Sequence, residues 1–134
     1  MIVRTVRDRI GGRGLVLLFF ALLGGSFCFG LLDPQQPVTR TYAWAGSVLP
    51  LWVWAILWGG AGLTSLVCAF QERDSVAFGA MIAVSAWWGL LVGAGWLLGD
   101  VQRGYVTAVI FLVFSGAVYA IGAGMKRKGR AGAA

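Results

Sequence analysis

Four stretches of the chain, about Gly14–Leu32, Val48–Phe70, Ser75–Leu98 and Tyr105–Met125, contain no Asp, Glu, Lys, Arg or His. Each has 19 to 24 residues. At about 1.5 Å per residue, each is long enough to cross a hydrocarbon core of about 30 Å. Backbone polar groups in hydrocarbon must be satisfied within the segment, so each is read as a helix. Barrel strands would alternate polar and apolar side chains, and these stretches do not.

Composition agrees with that solvent. Hydrophobic residues make up 59% of the chain and charged residues 12%, against about half and a quarter in soluble domains. The expected fold class is therefore all-α. It is a polytopic membrane protein with four transmembrane helices in a single domain over 14–125, flanked by basic ends at 1–13 and 126–134.

The links have readable chemistry. Asp33-Pro34 stops the first helix, because proline cannot continue the hydrogen-bond ladder. Ser47-Val48-Leu49-Pro50 opens the second, with Pro50 in the first turn. Gln71-Glu72-Arg73-Asp74 is short and polar, so the second and third helices are expected to form an antiparallel hairpin. Residues 99–104 join the third and fourth helices. The longest connection, Asp33–Ser47, is too short for a domain.

Charge sets the expected orientation. With four crossings, one face carries Arg4, Arg7, Arg9, Arg13, Arg73, Lys126, Arg127, Lys128 and Arg130. The other carries Arg40 and Arg103, so nine and two account for the chain's eleven Lys and Arg. The positive-inside rule then places both termini in the cytoplasm. The terminal clusters act as topology anchors that contact anionic lipid. Trp44, Trp52, Trp54 and Trp96 fall near the outer interface, where indole anchors well. The first stretch is longer than a signal-peptide core and lacks an A-x-A site, so it is read as an uncleaved helix.

Small residues four apart let helices approach closely. The third helix has Ser85-x3-Gly89-x3-Gly93 and Gly95-x3-Gly99. The fourth has Gly116-x3-Ala120-x3-Gly124, and the second has Ala55-x3-Gly59 and Gly60-x3-Thr64. These faces serve either self-association or packing within the bundle. Trp58, Trp87 and Trp88 lie near mid-span, where Trp58 is placed to meet Trp87 across the hairpin, or Trp88 instead, since sequence does not fix the helix rotation.

Absences narrow the function. No stretch holds the carboxylate that a proton-coupled transporter needs. Small multidrug transporters of similar length rely on a glutamate in the first helix, where this chain offers Gly24, Gly25 and Ser26. Ser26, Thr64, Ser65, Ser85, Thr107 and Ser115 have no nearby base, so no enzyme is expected. Two cysteines and no histidine make a structural metal site unexpected. No cofactor is expected, and the aromatic-free basic tail does not point to nucleic acid. Cys28 and Cys68 fall toward opposite faces, too far apart for a disulfide.

Pro50-Leu51-Trp52-Val53-Trp54, Ala69-Phe70 with Arg73-Asp74 and Ala77-Phe78, Trp88-Gly89-Leu90, Gly95-Trp96 and Arg103-Gly104-Tyr105-Val106 together resemble small four-helix membrane proteins of actinobacterial phages and prophages. The resemblance spans about residues 13–122. It implies a bacterial inner membrane and a holin-like or lysis-accessory role, exerted by oligomerisation. It carries no functional residues across. The alternative expectation is a structural or partner-binding subunit of a larger membrane complex, and the third is a small channel or transporter. The expected partners are lipid and either further copies or another membrane protein.

Overall fold

The computed structural model describes residues 2–33, 39–71 and 75–131, with side chains placed from Gly12 to Gly124 within those limits. Five α-helices account for nearly all of it: α1 (Ile2–Leu32), α2 (Arg40–Val48), α3 (Leu51–Cys68), α4 (Ser75–Leu97) and α5 (Gly104–Ala131). Four contain spans long and apolar enough to cross a membrane: Gly12–Leu32, Leu51–Cys68, Ser75–Leu97 and Gly104–Gly124. The chain is thus an all-helical, multi-pass type of protein. The backbones of α1 and α5 run on through the basic ends. Arg73 lies outside the described residues, as do the side chains of Arg4, Arg7, Arg9, Lys126, Arg127, Lys128 and Arg130.

The four spans match the expected count, and the connection before the second span contains a further short helix, α2. Its start is set by Thr39, whose side chain accepts a hydrogen bond from the Tyr42 amide at 3.4 Å, an N-cap arrangement. Its end is set by Pro50. The residue before a proline is driven out of helical geometry, and Leu49 is extended at φ −144°, ψ 144°. The second span therefore begins at Leu51 rather than Val48, with Pro50 as its N-cap. Hydropathy alone fuses the two because Val48 and Leu49 are apolar.

Two helix pairs pack most closely, α1 with α3 and α4 with α5. Both pairs are antiparallel. In the first, Gly24 faces Gly62 while Cys28 faces Gly59. In the second, Gly93 faces Ala108 while Gly89 faces Ala108, Phe111 and Leu112. The glycines permit this closeness. A β-carbon on Gly24 would lie 2.6 Å from the Trp58 carbonyl oxygen and 2.7 Å from the Gly62 Cα. The pairs meet through aromatic rings, with Phe27 of α1 stacked on Trp58 of α3 at 4.3 Å and 16°. Trp88 of α4 stands edge-on to Trp54, Trp58 and Phe27 at 5.3, 6.3 and 6.0 Å. A second group, Phe20 with Phe78 and Phe114, joins α1 to α4 and α5.

Candidate functional site

The centre of the bundle is filled by side chains. Trp54, Trp58 and Trp88 are the largest fully buried residues. Around them Phe27, Tyr42 and Phe111 complete one ring cluster that draws on all five helices. Offset and edge-on arrangements at such distances each add about 0.5–1.5 kcal/mol beyond area burial. Among the described residues the buried polar ones are Ser65, Ser85 and Ser115. Ser65 donates to the Ala61 carbonyl at 2.8 Å, and Ser85 donates to that of Met81. Ser115 lies 3.1 Å from the Ser85 hydroxyl and 2.8 Å from the Phe111 carbonyl, and donates to one or the other. When Ser115 donates to Ser85, whose own proton goes to the Met81 carbonyl, the two serines form a polar clasp across α4 and α5. Among the described residues no cluster of His, Cys, Asp or Glu could hold a metal, and Cys28 and Cys68 are separate thiols.

The indoles divide by their N–H partners. Trp54 Nε1 donates to the Ala45 carbonyl of α2 at 3.1 Å. Trp44 Nε1 donates to the Leu91 carbonyl of α4 at 2.9 Å. Trp58 Nε1 is buried with no partner among the described residues. The Trp44 and Trp54 indole N–H groups are therefore taken up inside the bundle. They tie α2 onto the bundle, while Trp52 and Trp96 remain exposed. The residue that meets Trp58 across α3 and α4 is Trp88, not Trp87, whose ring faces outward at 56% exposure. Adjacent helical positions differ by about 100°, so only one of the two can point inward.

The small-residue faces also separate. Ser85, Gly89 and Gly93 all face α5. A β-carbon on Gly89 would lie 3.1 Å from that of Phe111, and one on Gly93 would lie 3.3 Å from that of Ala108. Gly116, Ala120 and Gly124 are exposed on α5, and a β-carbon on either glycine meets nothing within 4 Å. Sequence reasoning singled out Gly95, which meets Trp44 and Val101, but missed the close-contact glycines Gly24, Gly62 and Gly104. Gly62 has no small residue four positions before it, since Trp58 is there. Gly24 stood out only for not being glutamate.

At the end of the bundle where α2 lies, α4 closes with Gly99 at φ +85°, a left-handed position suited to glycine. The Asp100 and Val101 amides both donate back to the Gly95 carbonyl, at 2.9 and 3.1 Å. Between this turn and α2 is an open cleft of about 490 Å³ lined by Arg40, Ala43, Trp44, Ser47, Gly99 and Asp100. A second, apolar groove of about 520 Å³ runs between α3 and α4, with Gly60, Ala61, Ala80 and Ala83 along it and Trp87 beside it.

The chain matches no protein-family model, no curated protein and no solved structure. The class defined by the fold is a multi-pass helical bundle with an aromatic core.

Proposed function

We propose that the protein is a bacterial inner-membrane protein with both termini cytoplasmic, and that it acts by assembly within the membrane rather than by catalysis or transport through its own interior. The observation that carries this is the filled centre. Phe27, Trp54, Trp58 and Trp88 occupy the space that a conducting path or a substrate pocket would need. The outward faces are left to act. Trp87 supports the same reading. It is the thirteenth residue of the 23-residue α4, more than half exposed, and its indole N–H makes no hydrogen bond among the described residues. An indole N–H facing hydrocarbon gains from an acceptor on a neighbouring chain.

Within that class the favoured role is holin-like or lysis-accessory, in keeping with the resemblance to small phage membrane proteins. Expression of the protein alone in a bacterial host should stop growth and depolarise the inner membrane abruptly after a delay. The check is a potential-sensitive dye followed in time, with insertion confirmed by membrane fractionation. Harmless accumulation of correctly inserted protein would sink the membrane-opening role and favour a partner-binding subunit. The orientation rests on the nine-to-two charge count. A reporter fused after Arg130 should read as cytoplasmic.

A further inference from the structure

The cleft between α2 and the α4–α5 turn brings one cation and one carboxylate to the same walls. Arg40 and Asp100 both line it, yet neither forms an ion pair among the described residues. Ser47 lies between them in character. Its hydroxyl donates to the Trp44 carbonyl at 2.7 Å, which leaves the oxygen lone pairs to accept. Ala43, Trp44 and Gly99 complete the walls. The depth is informative too. Asp100 falls three residues beyond Leu97, where the α4 span ends. The headgroup layers add about 10–15 Å in total to the hydrocarbon thickness, so the cleft stands at headgroup level.

We propose that this cleft binds the headgroup of a zwitterionic aminophospholipid, with the phosphate on Arg40 and the primary ammonium on Asp100. A guanidinium fork matches phosphate oxygens and can bond them in pairs. A carboxylate accepts the N–H donors of an ammonium group. A purely anionic headgroup would satisfy Arg40 but set its charge against Asp100 in the same cleft. A lone cation would do the reverse. A ligand carrying both charges a few bonds apart satisfies both. This selectivity differs from the attraction of the basic chain ends to anionic lipid, and it depends neither on assembly nor on which face of the membrane the cleft occupies.

The test uses the full chain reconstituted in vesicles of equimolar phosphatidylethanolamine, phosphatidylcholine and phosphatidylglycerol, then extracted in mild detergent for native mass spectrometry of the retained lipid. Phosphatidylethanolamine should be enriched over phosphatidylglycerol by about two- to fivefold, the range that one exposed charge pair supports. Asp100→Asn should bring that ratio to about one without unfolding the turn, because the turn is held by the Asp100 amide and not its side chain. Arg40→Gln should lower retention of both lipids. Arg103→Gln, at a cation outside the cleft, should leave the ratio unchanged. Equal retention of the two lipids by the wild-type chain would overturn the proposal. So would an unchanged ratio in Asp100→Asn, or a rise in the retention of both lipids in that variant, which is the result expected if Arg40 and Asp100 simply close on each other and the substitution frees Arg40. Loss of the preference in Arg103→Gln would make it a general charge effect and overturn the site. Phosphatidylcholine retained as well as phosphatidylethanolamine would overturn the ammonium contact to Asp100, since choline has no N–H to donate.

Discussion

The indole N–H of Trp44 donates to the Leu91 carbonyl oxygen at 2.9 Å, and Gly95, one turn further along α4, makes that approach feasible. A β-carbon on Gly95 would lie 2.8 Å from two indole atoms of Trp44 and 2.8 Å from Val101. The same turn of α4 thus seats α2 on one side and the loop leading to α5 on the other. Trp54 adds the reciprocal bond, from α3 to the Ala45 carbonyl of α2. A nine-residue helix is too short to be stable alone. These two indole bonds, with the Tyr42–Trp88 ring contact and the buried Ala45, hold it on the bundle.

Gly95→Ala should therefore unseat α2 while leaving the four spans helical. The expected loss is about 1–3 kcal/mol, the usual cost of overpacking. Trp44→Phe, which keeps most of the ring and removes the donor, should lose about 0.5–1.5 kcal/mol. Thermal unfolding in detergent reads both. Limited proteolysis near Arg40 should increase in Gly95→Ala. Unchanged protection there would show that α2 is held by something else.

The two fully buried tryptophans of α3 offer a matched comparison. Trp54 has an acceptor for its N–H and Trp58 has none. Replacing either with Phe removes similar volume, but only Trp54→Phe breaks a hydrogen bond and leaves the Ala45 carbonyl without its indole donor. Trp58→Phe instead removes a donor that is costly to bury unpaired. Trp54→Phe should be the more destabilising by about 1–3 kcal/mol. Equal melting temperatures for the two variants would refute the assignment of an unpartnered indole at Trp58.

Neighbouring glycines of α1 make a second pair. Gly24→Ala puts a methyl group against the backbone of α3, at 2.6 Å from one carbonyl and 2.7–2.8 Å from Gly62. Backbone cannot turn aside as a side chain can, so the helices must separate. Gly25→Ala meets nothing within 4 Å. The expected result is a loss of about 1–3 kcal/mol for the first and a gain of about 0.5–1 kcal/mol for the second, where alanine favours the helix. If both variants melt with the wild type, α1 and α3 do not cross at Gly24.

The span positions were legible because uncharged runs of membrane length have few other solutions. What hydropathy could not reveal is where an apolar residue points. Every face of a span is apolar, so Trp87 and Trp88 look alike in sequence, yet one faces outward and the other sits at the core. Trp44 and Trp54 read as interfacial for a similar reason, since an indole near a helix end can anchor to headgroups or donate inward. The short helix α2 escaped notice because Val48 and Leu49 extend the apolar run of α3 past Pro50. Its signals were local: a Thr39 cap and a pre-proline stop. The crossing glycines were hidden by the abundance of glycine, 21 in the chain, which makes four-residue spacings common. The cleft at Arg40 and Asp100 depends on residues sixty positions apart and had no sequence signal at all.

The two small-residue faces should behave differently under the same substitution, and this bears directly on assembly. Gly89 and Gly93 are spent on the α4–α5 contact, with Phe111 and Ala108 already at 3.1–3.3 Å from a notional β-carbon. Gly89→Leu with Gly93→Leu should force α4 and α5 apart, so the double variant should insert poorly or be degraded, at any expression level. Gly116 and Gly124 have open space beside them. Leucine at both positions should leave folding and insertion intact, because the new side chains extend into hydrocarbon. If the exposed face of α5 makes the contact between copies, that bulk should delay or abolish the depolarisation expected of the wild-type chain, since small residues are what allow close helix approach. Quantitative membrane fractionation separates loss of protein from loss of action, and in-membrane crosslinking reports association. Stable accumulation of the Gly89 and Gly93 double variant would contradict the α4–α5 packing. Unaltered association and timing in the Gly116 and Gly124 variant would move the assembly face away from α5, toward the α3–α4 groove beside Trp87.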